Sequence, residues 1–468
     1  MKRFDWRWLV IRSAVSAIFI AALAAHAETR PQYGGVLRIA MRAAPTSLDP
    51  ADSQSDSFTR RSITLLMFDT LVTYDENSGL QPSLAASWQE SAGNQRGSQH
   101  WQFRIRPGVK FHDGTPLSAE IAAGALRAAN PAWRVSADAD SVVIEADDAP
   151  ELPAELALPR NAIVKRNSDN LPIGSGAFHV VDWQPGKKLS LAAEENCWNG
   201  RPFIDAIEVE MGKSLREQMT ELELGKVDLV EVAPEQSRLL NSGVSHEEGR
   251  RVESSAPIGL LALLFNRDAA SQEDKLLREA LALSVERASI RNVLLQGAGE
   301  PAGSVLPNWM SGYEFVFPTE ADLPRARHAR EQVHTIPMWT LGYDGTDAGA
   351  RLLAERLALN AKDAGLWLQP RTAANADLRL VEIPLVSPNP WISLASVSGL
   401  IGAAGKESGS VEDLYRSEVA LLATQRLIPL FHLPVSYAGS ANLKNWSLRA
   451  DGSWNLSEAW LGPGKQVQ

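Results

Sequence analysis

The sequence reads as an α/β chain of more than one domain, and three stretches predict it. In 101–120, WQFRIRPGVKFHDGTPLSAE, Trp101, Phe103 and Ile105 alternate with Gln102, Arg104 and Arg106, the period-two pattern of a strand with one buried face. Pro107-Gly108 ends that strand, His112-Asp113-Gly114-Thr115-Pro116 turns the chain, and Ser118 caps an Ala-rich helix that continues to Asn130-Pro131. Ile258 to Asn266 is instead continuously apolar, as expected of a strand covered on both faces that crosses between two units. Ser214 and Glu217 have the spacing of a capping box, in which side chain and backbone satisfy each other's free donors, and the helix they open stops at Gly225.

The remaining elements follow in order. Val36 to Met41 reads as a strand, Thr64 to Leu71 as a helix and Gln89 to His100 as a polar, exposed loop. Val142 to Ala146, Leu189 to Leu191, Ile204 to Met211 and Val227 to Val232 read as strands. Helices are expected over Gln272 to Ser284 and Glu286 to Leu295, the second closed by Gln296-Gly297. Thr340 to Gly345 reads as a loop before an amphipathic helix, Ala348 to Ala364, whose end Gly365 marks. Asp377 to Ile383 is a strand and the Gly-, Ser- and Pro-rich interval Ser387 to Ser410 a loop. A last helix, Val411 to Arg426, precedes Leu427 to Leu433, which returns the chain toward its first half.

Composition narrows the function. Lys2, Arg3 and Arg7, then the apolar stretch Trp8 to Leu23, then Ala25-His26-Ala27 have the order of a cleaved secretory leader, so residues 1–27 are expected to be removed. The mature chain of 441 residues is long enough for two to four domains. Its charge is near −13, because the precursor stands at −10 and the leader carries a net surplus of three positive charges. Nucleic acid is a poor partner for such a surface. Cys197 is the sole cysteine, so no intramolecular disulfide forms. The G-x-S-x-G, H-E-x-x-H, C-x-x-C and phosphate-loop patterns of common enzyme sites are all missing. His112-Asp113 sits in a turn cluster, which favours a structural role over acid–base chemistry, and His328 and His334 do not share a helix face.

Eight ordered blocks also carry a resemblance. WQFRIRPGVKFHDGTPLSAE is joined by GGVLRIA at Gly34, LMFDTLVTYD at Leu65, LQPSLAASW at Leu80, PIGSGAFHVVDWQPG at Pro172, CWNGRPFIDAIEV at Cys197, ELELGKVDLV at Glu221 and the segment Leu263 to Pro307. Together they resemble the family 5 extracellular solute-binding proteins, the peptide- and nickel-type receptors of ABC importers. The resemblance implies a two-lobed α/β periplasmic binding protein of type II, a flytrap with mixed sheets and hinge strands. Residues 28–255 and 437–468 would form lobe I, and 256–436 lobe II, with the small subdomain trimmed because the interval after the Ser118 helix is brief. It further implies a monomer without cofactor or metal that captures a peptide or peptide-like solute for permease subunits of an ABC transporter. A sensor or an enzyme reusing the scaffold is the alternative. The ligand walls implied are Ser53 and Phe58 after Leu48-Asp49-Pro50, then Trp339, Tyr343 and Asp344, then Glu382, Asn389 and Trp391. Dipeptide-binding members hold the ammonium with an Asp and the carboxylate with an Arg. This chain has no Asp in Pro384 to Pro390 and no Arg before Arg351 in the corresponding loop.

Overall fold

The computed structural model describes residues 30–462 apart from 53–56, 76, 93–97, 148, 169–170, 240–249, 374 and 404–407. The expected leader and Ser53 therefore lie outside the described residues. The chain begins with β1 (Val36–Ala40) and α1 (Phe58–Met67). It then builds a small antiparallel sheet, in the order β2-β3-β5-β4, from β2 (Ala85–Ala92), β3 (Ser98–Ile105), β4 (Arg134–Asp138) and β5 (Ser141–Asp147), with α2 (Ala119–Ala129) packed on it. Next come β6 (Phe178–Gln184), β7 (Lys188–Ala193), β8 (Ala206–Glu210), α3 (Leu215–Glu223), β9 (Leu229–Val232) and α4 (Pro234–Leu239). The long strand β10 (Arg251–Phe265) leads into α5 (Gln272–Ser284), α6 (Arg287–Val293) and α7 (Leu323–Glu331). The chain continues through β11 (Met338–Gly342), α8 (Ala348–Asp363), β12 (Trp367–Arg371), β13 (Leu378–Pro384), α9 (Pro390–Leu400) and α10 (Val411–Ala423) to β14 (Leu427–Gly439).

One mixed sheet runs through both lobes in the order β6-β7-β8-β1-β9-β14-β10-β13-β11-β12. Its two central strands, β10 and β14, are the longest, and they belong to both halves. At the first-lobe end Arg251 pairs with Gly439 and Ser254 with Ser436, while at the second-lobe end Leu264 pairs with Leu427. Between them the register shifts three times, on either side of Pro257, which faces Pro434, and again between Leu261 and Ala262. Neither proline has an N–H to give, so the ladder is interrupted where the strands pass from one lobe to the other.

Burial explains the apolar run that defines β10. Leu261, Leu263 and Phe265 enter one core with Leu281, Leu341 and Leu357, while Leu260, Ala262 and Leu264 enter another with Leu394, Val397 and Leu421. Successive side chains point to opposite faces, and both faces are covered, so every position must be apolar. Each fully buried leucine there contributes roughly 1.5–3 kcal/mol. The first lobe has its own core around Leu37, Ile39, Ile207, Val209, Trp446 and Trp454. The small sheet has a fourth core around Phe103, Ile144 and Leu126.

Four sequence expectations need correction. The first helix spans Phe58–Met67 rather than Thr64 to Leu71, because Ser57 caps it from Arg60 N and because buried Arg60 and Arg61 hide its apolar period. Gln89 to His100 is largely strand, since β2 and β3 pair through Ala92 and Gln99 and use polar side chains such as the Gln89–Gln102 pair, 2.9 Å apart, on their open face. Thr340 to Gly342 completes β11 before the loop begins. Within Ser387 to Ser410, Pro390–Leu400 is a helix: Asn389 Oδ1 accepts from Trp391 N and Ile392 N, and Pro390 fills the first turn. The His112 turn is structural, with its Nε2 3.0 Å from Gly176 O and its backbone N–H donating to Gly174 O.

Candidate functional site

The lobes face each other across β10 and β14, and the side chains that meet there are mostly carboxylates. Arg42 leaves the end of β1 and donates its backbone N–H to Glu231 Oε2 at 2.7 Å. Glu231, on β9, also accepts from Thr59 Oγ1 at 2.6 Å and Gln218 Nε2 at 2.9 Å, so α1 and α3 both fix its position. From the second lobe, Asp347 caps α8 by accepting from Gly349 N and Ala350 N, which leaves Oδ2 to accept from Arg42 Nη1 at 3.2 Å. The Arg42 side chain thus reaches from one lobe to the other.

Glu382, on β13, is reached by solvent although protein surrounds it, as befits a group lining an enclosed cleft. Gly259 makes its position available, since a Cβ there would stand 2.7 Å from Glu382 Oε1. Burial pushes the Glu382 carboxyl above its ordinary value; Arg42 opposes this, and Glu231 and Asp347 reinforce it. Burial likewise raises Glu235, at the start of α4, with Asp347 adding to the effect. Burial would lower the Arg42 guanidinium, but Glu231, Glu382, Asp347 and Asp344 outweigh that and hold it above its ordinary value. Five carboxylates therefore surround one guanidinium. Among the described residues no group of three or more His, Cys, Asp or Glu is arranged to hold a metal ion.

The lobes also touch beside the small subdomain. Tyr74 Oη lies 2.8 Å from Ser387 Oγ, and Asn389 Nδ2 donates to Glu151 Oε2 at 2.6 Å. Burial pushes the Tyr74 phenol up to about 12. Ala154 and Leu158 pack against Val386 and Ile392 from the opposite lobe.

The residues implied by the resemblance are dispersed by this geometry. Asp344 and Glu382 join the carboxylate group, and Asn389 spans the lobes while capping α9. Tyr343 is half-buried against the second-lobe core. Phe58 is buried at the start of α1, beneath the Arg61 guanidinium at 5.4 Å. Trp339 requires a correction: it is buried in the second-lobe core, edge-on to Phe265 at 5.3 Å, toward the end of β10 that points away from the first lobe. Trp391 is buried in the core under α9. Arg351 turns outward to Glu355 on its own helix. Arg42, Glu231, Glu235, Asp347, Tyr74 and Glu151 escaped sequence reasoning. Only Asp347 carried a signal, as an acidic N-cap just before a helix.

Two lobes of α/β structure, joined by two long central strands and enclosing a polar cleft, define a two-lobed binding protein. Residues 79–383 match the model of the bacterial extracellular solute-binding proteins, family 5, and the chain belongs to that family. It is similar to Protein XP55 of Streptomyces lividans, 26% identical over 77% of this chain and 72% of that protein. It is also similar to the nickel-binding protein NikA of Staphylococcus aureus, 24% identical over 56% of each chain. The solved structure of the Escherichia coli murein tripeptide binding protein MppA superposes with a TM-score of 0.77 at 17% identity, covering 92% of this chain and 99% of that one. NikA and MppA are binding proteins rather than enzymes, and the family delivers solutes to ABC permease subunits. Among the described residues no helix is long and apolar enough to cross a membrane.

Proposed function

We propose that this chain captures a small peptide-like solute carrying a positive charge between its lobes, outside the cytoplasmic membrane, and presents it to an ABC permease. The carrying observation is the cleft itself, in which Glu231 and Glu235 face Asp344, Asp347 and Glu382 around Arg42. A cation placed there gains from several carboxylates in a site partly shielded from water, whereas an anion meets repulsion from most directions. No Asp follows β13 and Arg351 points away, so the two charged clamps of dipeptide receptors have no counterpart in those loops. A ligand with an ammonium and no carboxylate fits this charge pattern best. Closure would turn about the interrupted ladder at Pro257 and Pro434, which favours lobes bounded near residues 255 and 436.

Calorimetry with three versions of one dipeptide tests the reading. The C-terminal amide should bind best, the free dipeptide about tenfold or more weaker, and the N-acetylated acid weakest, since one charge-assisted bond is worth about 1.5–3 kcal/mol. Free or acetylated dipeptide binding as tightly as the amide would overturn the assignment of charge.

A further inference from the structure

A cavity of about 600 Å³ lies between the small subdomain and α9, within the range of small-molecule sites. We propose that it is a second binding site, separate from the carboxylate cleft, for a flat aromatic group carrying a cationic nitrogen. Its walls are mixed and come from both lobes: Trp133 and Leu152 on the subdomain side and Trp391, Ile392 and Ala395 on α9 give the apolar part, beside charged groups of the subdomain. Half-buried Trp133 offers an indole face on which an aromatic ring gains area and a cation gains quadrupole attraction, while Trp391, packed in the core under α9, contributes only the small part of its ring that reaches the cavity.

The polar groups decide the charge of the occupant. Arg160 is neutralised by Glu155, to which it donates from Nη2 at 2.7 Å and Nε at 3.2 Å. Asp147 is paired with Arg134 at 3.1 Å. Glu151 differs, because Oε2 accepts from Asn389 Nδ2 while Oε1 has no hydrogen-bond partner among the described residues. Its neighbour Asn389 is an amide and brings no compensating charge. The cavity therefore presents a carboxylate with one oxygen open to a ligand beside the Trp133 indole. A molecule seated there touches both lobes, so its binding favours the closed arrangement; that coupling, unlike the site itself, rests on the closure reading above.

Tryptamine is the probe, with indole-3-acetate as a control that keeps the ring and reverses the charge. Calorimetry on the full chain should show saturable tryptamine binding and none for indole-3-acetate. Glu151→Gln should weaken tryptamine about tenfold or more, as loss of one charge-assisted contact requires. Trp133→Ala should weaken it further, and Ala395→Leu, which fills the cavity without removing a core side chain, should do the same where the tryptophan variant fails to fold. Trp133→Ala and Ala395→Leu should leave the dipeptide amide bound as before, which separates this site from the cleft. No tryptamine binding, equal binding of the two indoles, or affinity unmoved by Ala395→Leu would overturn the proposal. Failure of the dipeptide amide to bind would strike the cleft reading alone.

Discussion

Glu382 carries a conflict between stability and binding. Its carboxyl is raised by burial above the ordinary glutamate value of 4.5, so the folded chain holds that proton more tightly than the unfolded chain does. The folded state is therefore favoured by this group below 4.5, and the contribution is lost as pH rises through the raised value. Cation binding runs the opposite way, because it needs the ionised form. Glu382→Gln should therefore raise Tm at neutral pH and converge with the parent in acid, while weakening the dipeptide amide. In the parent, amide affinity should begin to fall at a pH above 4.5, and in the variant that portion of the pH dependence should vanish. A variant less stable at neutral pH, with an unchanged affinity profile, would show that Glu382 is ordinary and distant from the ligand. Glu382 and Asn389 were singled out by the family's block order, and the structure places Glu382 beside Arg42 and Asn389 against Glu151. Arg42 and Glu231 were not, because a lone charge at a strand end has no periodicity, and its meaning arises only when strands 190 residues apart pair.

Among the elements, β3, α2, α3, α5 and β10 were legible because their local signals agree with their surroundings: alternation where one face is buried, capping where a helix starts, an unbroken apolar run where both faces are covered. Helix α9 was not, since SPNPWISLASVSGL is rich in turn residues and apolar around much of its circumference, which removes the 3.6-residue period. Asn389 does two jobs there, and substitutions can separate them. Asn389→Ala removes the cap and the bridge to Glu151, and should cost about 1 kcal/mol for the cap alone. Asn389→Asp keeps a capping oxygen but places a carboxylate against Glu151, where the amide nitrogen now stands 2.6 Å away. The Asp variant should hold α9 nearly as well as Asn while pushing the lobes apart. Thermal melts read the cap, and X-ray scattering reads the lobes. Equal radii of gyration for the parent and the Asp variant would mean that this bridge does not bias closure.

At the scale of the whole molecule, the sheet is continuous and its hydrogen bonding is not. Two strands of 15 and 13 residues carry the connection between lobes, and their pairing breaks where Pro257 opposes Pro434. Bending there sacrifices few backbone bonds, because those bonds are already missing, whereas bending at the further shift between Leu261 and Ala262 would tear the unbroken β10–β13 ladder, buried between two cores. The contacts that closure gains are modest. The Arg42–Asp347 pair is partly exposed and worth at most about 1 kcal/mol, so a ligand touching both lobes can decide the balance. Scattering from the parent should therefore show a smaller radius of gyration on saturation with the dipeptide amide. Replacing both prolines by valine restores two N–H donors and allows the ladder to close across the bend. That double variant should bind the amide more weakly and contract less. If it contracts as fully as the parent, the lobes turn elsewhere. If neither protein contracts although calorimetry shows the amide bound, capture does not proceed by closure.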